Sequence, residues 1–137
     1  MTSQSDSNKK LNIALWSVQI LLALTFAMAG ITKLTTPVLE LANQMSWVHH
    51  FPRWMPNLIG DAEIAGALGL VLPSAFRVLP ILTPLAAAGL FGVMLSAAGF
   101  HIAVGEYGIL PVNFVLGGLA FFVLWGRLKK APIAARG

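Results

Sequence analysis

From Leu11 to Ile31 the chain reads LNIALWSVQILLALTFAMAGI, an apolar run without a charged residue. A helix rising 1.5 Å per residue needs about 20 such residues to cross the hydrocarbon of a bilayer, so the run predicts a membrane span. Three more apolar segments follow, over about 58–72, 78–104 and 109–125. In lipid every backbone N–H and C=O must be satisfied within the protein, and segments of this length do so as helices. The predicted fold is therefore all-α: a polytopic membrane four-helix bundle over residues 11–128, one domain. Composition agrees, since 57% of residues are hydrophobic and 10% charged, whereas a soluble domain carries roughly a quarter charged residues. There is no cysteine, which excludes disulfides, thiolate metal sites and thiol redox chemistry by this chain itself.

Outside the spans, residues 1–10 read as a disordered polar tail and 129–137 as a basic tail. A cleaved signal peptide is the alternative for the N-terminus, with Lys9-Lys10 as its basic start and Ala27-Met28-Ala29 as its cleavage site. The apolar run is long for that role. Between the first two spans, residues 38–54 carry apolar side chains at Val38, Leu41, Ala42, Met45 and Val48. This spacing predicts a short interfacial helix with one greasy face, folded over the mouth of the bundle with Trp47, Phe51 and Trp54 nearby. Pro80 and Pro84 predict a kink near the start of the third span.

The formal charge is +4 and the isoelectric point near 10.0, but the basic residues flank apolar segments. They read as topology signals, not as a nucleic-acid surface. Lys9, Lys10, Arg77, Arg127, Lys129, Lys130 and Arg136 fall on the side of the termini, against Lys33 and Arg53 on the other. The expected location is the plasma (inner) membrane, with both termini cytoplasmic.

Asp61 and Glu63 stand inside the second apolar segment, where an ionised carboxylate is costly unless paired, protonated or hydrated. By depth, Lys33 closes the first span, Asp61 and Glu63 open the second, His101 and Glu106 close the third, and Asn113 opens the fourth. All belong to the outer half, and neighbouring helices lie about 8–10 Å apart, so these ends can share one cavity. Lys33 and His101 are the expected partners of the carboxylates. Asp61 and Glu63, two residues apart, point in nearly opposite directions. Glu63 is the deeper, on a stripe with Gly66, Ala67 and Leu70; Asp61 is alternatively a capping residue. Lys33 is alternatively a lysine snorkelling to the interface, Glu63 its structural partner, and His101 an interfacial histidine. Asn113, Gln19, Thr25 and Ser96 read as helix-bridging polar residues. His49 and His50 lack metal-ligand spacing, and no metal site is expected.

FAMAGITKL in the first segment, DAEIAGALGLVLPSAFR in the second, LAAAGLFGVMLSAAGFHI in the third and Asn113 opening the fourth resemble the DoxX-like small membrane proteins. The most specific parts are A-G-x-x-K-L over Ala29–Leu34 and E-x-x-G-x-x-G-L over Glu63–Leu70, followed by Arg77. The resemblance implies a four-helix bundle and, for some relatives, association with quinone-linked sulfur oxidation or with oxidative-stress partners. Two functions are open at this point. One is an outer-leaflet cavity binding or acting on a quinone- or isoprenoid-like molecule by proton transfer, with Glu63, His101 and Lys33 catalytic and Asp61, Asn113, Trp47 and Trp54 binding. The other is a non-catalytic membrane subunit that docks a redox or oxidative-stress protein through its tryptophans. Glycine-rich faces also allow a homodimer.

Overall fold

A computed structural model describes residues 2–137. The chain forms α1 (Thr2–Thr35), a short α2 (Val38–Gln44), α3 (Met55–Phe76), α4 (Leu82–Ala103) and α5 (Leu110–Trp125). A 3-10 turn over Ser46–His50 follows α2, another over Tyr107–Ile109 leads into α5, and a π turn over Gly126–Lys130 ends it. Four of these helices, α5 taken with its flanking turns, are long and apolar enough to cross a membrane. No strand occurs among the described residues. α1 packs along α3, α3 against α4 and α4 against α5, while α5 meets α1 over a shorter length. This antiparallel bundle puts both termini at one end. The other, distal end carries α2.

Each long helix buries a narrow stripe and leaves the rest apolar and exposed, as a bundle in lipid does. On α1 the stripe is Leu15, Gln19, Leu22, Phe26, Gly30 and Lys33; on α3 it is Pro56, Gly60, Glu63, Ala67, Leu70 and Ser74. These residues recur every three or four positions, the 3.5-residue period of helices packed at a shallow angle. Leu22, Phe26, Leu70, Leu90 and Val123 form the dry centre. The buried polar residues Gln19, Lys33, Glu63, Thr83 and Asn113 sit on these stripes, directed into the bundle and away from lipid.

The helix boundaries depart from the sequence expectation in three places. α1 is helical from Thr2, so the polar tail continues the first span; extending a formed helix avoids the cost of nucleation. Met1 lies outside the described residues. α3 is longer than 58–72 because Pro56 falls in its first turn, where no N–H donor is needed, and because Pro73 is accommodated within it. Proline cannot donate to the carbonyl four residues back, and that carbonyl, Gly69, instead accepts from the Thr83 hydroxyl at 3.0 Å. Ser74 Oγ lies 2.7 Å from the same Thr83 oxygen. Finally, α4 starts at Leu82, not at 78: Arg77 and Leu79 take positive φ values of 57° and 47° in a turn, and Pro80 keeps the helix from starting earlier. Pro84 then falls in the first turn of α4.

The basic tail folds back on this turn. Arg77 Nε donates to the Ala134 carbonyl at 2.7 Å, and the Arg136 N–H donates to the Arg77 carbonyl at 3.0 Å.

Candidate functional site

The distal site begins with two glycines. A Cβ on Gly30 would stand 2.7 Å from the Gly60 carbonyl oxygen, and one on Gly60 would stand 3.1 Å from Lys33 Cβ. α1 and α3 therefore cross backbone to backbone, which any larger residue at these positions would prevent. Lys33 lies one turn distal to the crossing on α1, and Glu63 one turn proximal on α3. Helical side chains lean toward their own N-terminus, so in this antiparallel pair the two lean toward each other. Lys33 Nζ donates to Glu63 Oε2 at 2.9 Å and to Oε1 at 3.1 Å. Both side chains are nearly inaccessible, at 9% and 5% exposed.

A second pair closes α4. Gly105, at φ 77°, turns the chain, and the Glu106 N–H bonds back to the His101 carbonyl at 2.8 Å. This places Glu106 Oε2 2.8 Å from His101 Nδ1. Hydrogen bonding from the Ser46 side chain, and then from His101, holds the Glu106 carboxyl below its ordinary value. Ser46 belongs to the turn after α2, so the roof lies beside the end of α4 here.

Between these pairs lies a cavity of about 970 Å³, lined by Lys33, Glu63, Phe100, His101 and Asn113 and roofed by Gln44 to Trp47. Leu41 and Val48 pin the roof by burial, and the Phe51 ring lies tilted against Phe100, 5.5 Å between centroids. The face read from the sequence, Val38, Leu41, Ala42, Met45 and Val48, is the buried or half-buried face. The cavity is at the upper end of the size that takes a drug-sized or cofactor-sized molecule. Its wall is mostly apolar, with polar groups at a few points. One of these is unsatisfied: Asn113 is buried, and its Nδ2 donor has no hydrogen-bond partner.

Five of the residues singled out in the sequence thus face one cavity: Lys33, Glu63, His101, Asn113 and Trp47. Two do not. Asp61 is exposed on the far side of α3, as its two-residue offset from Glu63 requires. Trp54, at the start of α3, is 59% exposed outside the lining. Three partnerships also differ from expectation. The Asn113 amide nitrogen bridges nothing. His101 pairs with Glu106, not with Asp61 or Glu63, and Thr25 bonds the Leu21 carbonyl of its own helix, bridging nothing.

The family model for the DoxX-like family matches residues 17–123. The chain belongs to the DoxX-like family. No curated protein and no solved structure matches it. In this DoxX-like protein the matched stretch contains every polar residue of the distal cavity. It contains Gln19 but leaves out Asn12, Trp16 and Arg127 of a second cluster at the proximal end, whose cation the sequence did not reveal as buried.

There Arg127, read from sequence as a topology charge, is buried at 3% exposure. Its Nε donates to Gln19 Oε1 at 2.6 Å and its Nη1 to Asn12 Oδ1 at 2.7 Å. Gln19 in turn donates to the Leu70 carbonyl at 2.6 Å, and the Trp16 ring lies 5.5 Å from the guanidinium. The available signal was Gln19, a polar residue in mid-span with no partner in its own segment. A long cation with several donors at the end of the last helix is what can reach it.

Proposed function

We propose that this DoxX-like membrane protein binds a flat apolar molecule of the quinone or isoprenoid type in the distal cavity and exchanges protons with it in a redox-linked process. The supporting observation is a mostly apolar cavity that gathers the Lys33–Glu63 ion pair, the His101–Glu106 hydrogen bond and the Asn113 amide, whose Nδ2 has no partner within the protein. A buried donor left unsatisfied costs about 1–3 kcal/mol, and turning the Asn113 amide toward a ligand carbonyl or hydroxyl oxygen would satisfy it. The apolar wall suits a ring, and Phe100 and Trp47 offer faces for stacking.

In this reading Glu63, fixed by Lys33, and His101, fixed by Glu106, are the two groups that hold or pass protons. The ligand supplies a carbonyl-hydroxyl couple when bound. Reduction of the ligand carbonyls takes up two electrons and two protons and oxidation returns them; the electrons pass from or to a partner redox protein, since the chain has no cysteine thiol to exchange them. The charge bias of the loops supports cytoplasmic termini, so the cavity would open in the outer half of the plasma membrane.

The test is extraction and mass spectrometry of small molecules that co-purify in mild detergent with the native chain and with Glu63→Gln. A quinone or isoprenoid present in the first and lost from the folded second supports the reading. Neither preparation carrying one overturns it.

One observation favours the other function. Lys33 and Glu63 satisfy each other so fully that they serve equally as a structural pair beneath a docking surface formed by the roof and the exposed Trp54. Trp47→Ala and Trp54→Ala abolishing co-purification of a redox protein, with Glu63→Gln silent, would select this function.

A further inference from the structure

The cavity does not open to water alone. Gly89, Gly92 and Ser96 line it, yet all three are exposed, and a Cβ on either glycine would meet nothing within 4 Å. They stand in the middle of α4: Gly89 is about 10 Å along the helix from Leu82, at 1.5 Å per residue. At that depth the surroundings of a spanning helix are hydrocarbon. The cavity therefore has a side window into the bilayer, walled by residues too small to close it.

From the window a groove runs along the seam of α3 and α4 toward the proximal end, with a volume of about 500 Å³. Gly89 and Val93 line both spaces, so the two adjoin at these residues. Ala62, Ala65 and Gly66 form one wall, and Leu82, Leu85 and Ala86 the other. Gly69 makes the floor, since a Cβ there would lie 2.7 Å from Ala86 Cβ. From Val93 to Leu82 the groove is about 16 Å long. It is apolar along its length, narrow, and open to lipid.

We infer that the groove holds the hydrocarbon tail of the molecule whose polar head lies in the cavity, so that the ligand is a long-tailed amphiphile taken sideways from the membrane. This rests on the cavity reading above and adds the class of ligand and its route. The head is marked by the polar groups gathered in the cavity, Glu63, His101 and Asn113. The tail is marked by the groove that begins where the window opens. Lipid chains are as apolar as the groove, so the tail contributes by fixing the orientation of the head and not by leaving water. A tail lying along α3 and α4 presents the ring from below, toward Glu63 and His101.

The test uses a 1,4-benzoquinone carrying a ten-carbon chain that ends in a diazirine, with the full-length protein in lipid nanodiscs. Irradiation and peptide mass spectrometry are expected to find the label on Pro73, Leu82 or Leu85. An excess of the same quinone without a chain is expected to displace it, and Ala65→Phe, an exposed position whose ring would fill the groove, to abolish it. Displaceable label on the roof or distal loops alone would keep the cavity reading and overturn the groove. Absence of any displaceable label would overturn both. The rival occupant is a second copy of the chain. Because the chain has no cysteine, Ala65→Cys gives a single thiol, and efficient disulfide dimers in nanodiscs holding two copies would place that copy in the groove and overturn the proposal.

Discussion

Gly30 and Gly60 press backbone to backbone, and three residues beyond each stand Lys33 and Glu63, joined by two hydrogen bonds of 2.9 and 3.1 Å. The glycine crossing sets the distance between the helices, and that distance sets the ion pair. Gly30→Ala puts a methyl against a backbone oxygen that cannot rotate away, so the helices must separate. A cost of about 1–3 kcal/mol is expected, read as a lower unfolding temperature in detergent. Gly92→Ala, whose methyl meets nothing within 4 Å, is the matched control and is expected to be neutral or slightly stabilising.

Removing one partner of the buried pair strands the other. Lys33→Met is expected to destabilise by about 3–5 kcal/mol, while Lys33→Met combined with Glu63→Leu recovers most of that loss. Unfolding in detergent measures both. A stable double variant that no longer retains the ligand would separate the role of the pair in binding from its role in folding.

The roof contact is expected to respond to acid. Hydrogen bonding from Ser46, and then from His101, holds the Glu106 carboxyl below the ordinary 4.5. A depressed carboxyl contributes to the roof contact fully at pH above 4.5 and loses that contribution as the pH falls through its lowered value. Fluorescence of Trp47, in a variant with the other three tryptophans replaced by phenylalanine, should therefore show a transition below about pH 4.5. Glu106→Gln should remove the transition.

Thr83 and Pro73 form a compensating couple, because the hydroxyl supplies the hydrogen bond that the proline withholds from the Gly69 carbonyl. Thr83→Val is expected to cost about 1–3 kcal/mol by leaving that carbonyl unsatisfied. In a Pro73→Ala background the new N–H can reach Gly69, and the same change should cost markedly less. A double-mutant cycle by thermal unfolding measures the difference.

Much of this was legible in the sequence for a physical reason: lipid forces apolar length and internal hydrogen bonding, and both leave plain marks. The spans, the greasy face of α2 and the depth of Lys33, Glu63 and Asn113 follow from counting residues along helices. Partnerships were less legible where a turn decided them. His101 meets Glu106 because Gly105 reverses the chain, and neither hydropathy nor depth carries that information. Arg127 was hidden by ambiguity, since a cation at the end of a span serves as a topology signal or as a buried donor with the same local sequence. Asp61 and Trp54 fell outside the cavity because depth fixes the level of a side chain and not its direction.

The Arg127 clamp bears on how the protein comes to be assembled. Its partners Gln19 and Asn12 precede it by 108 and 115 residues, so the first helix enters the membrane with its polar stripe waiting through the synthesis of all the others. The last helix brings the guanidinium that completes it. The join between the first and last helices therefore waits on the end of the chain, and a chain truncated before Arg127 would lack the cation that makes it.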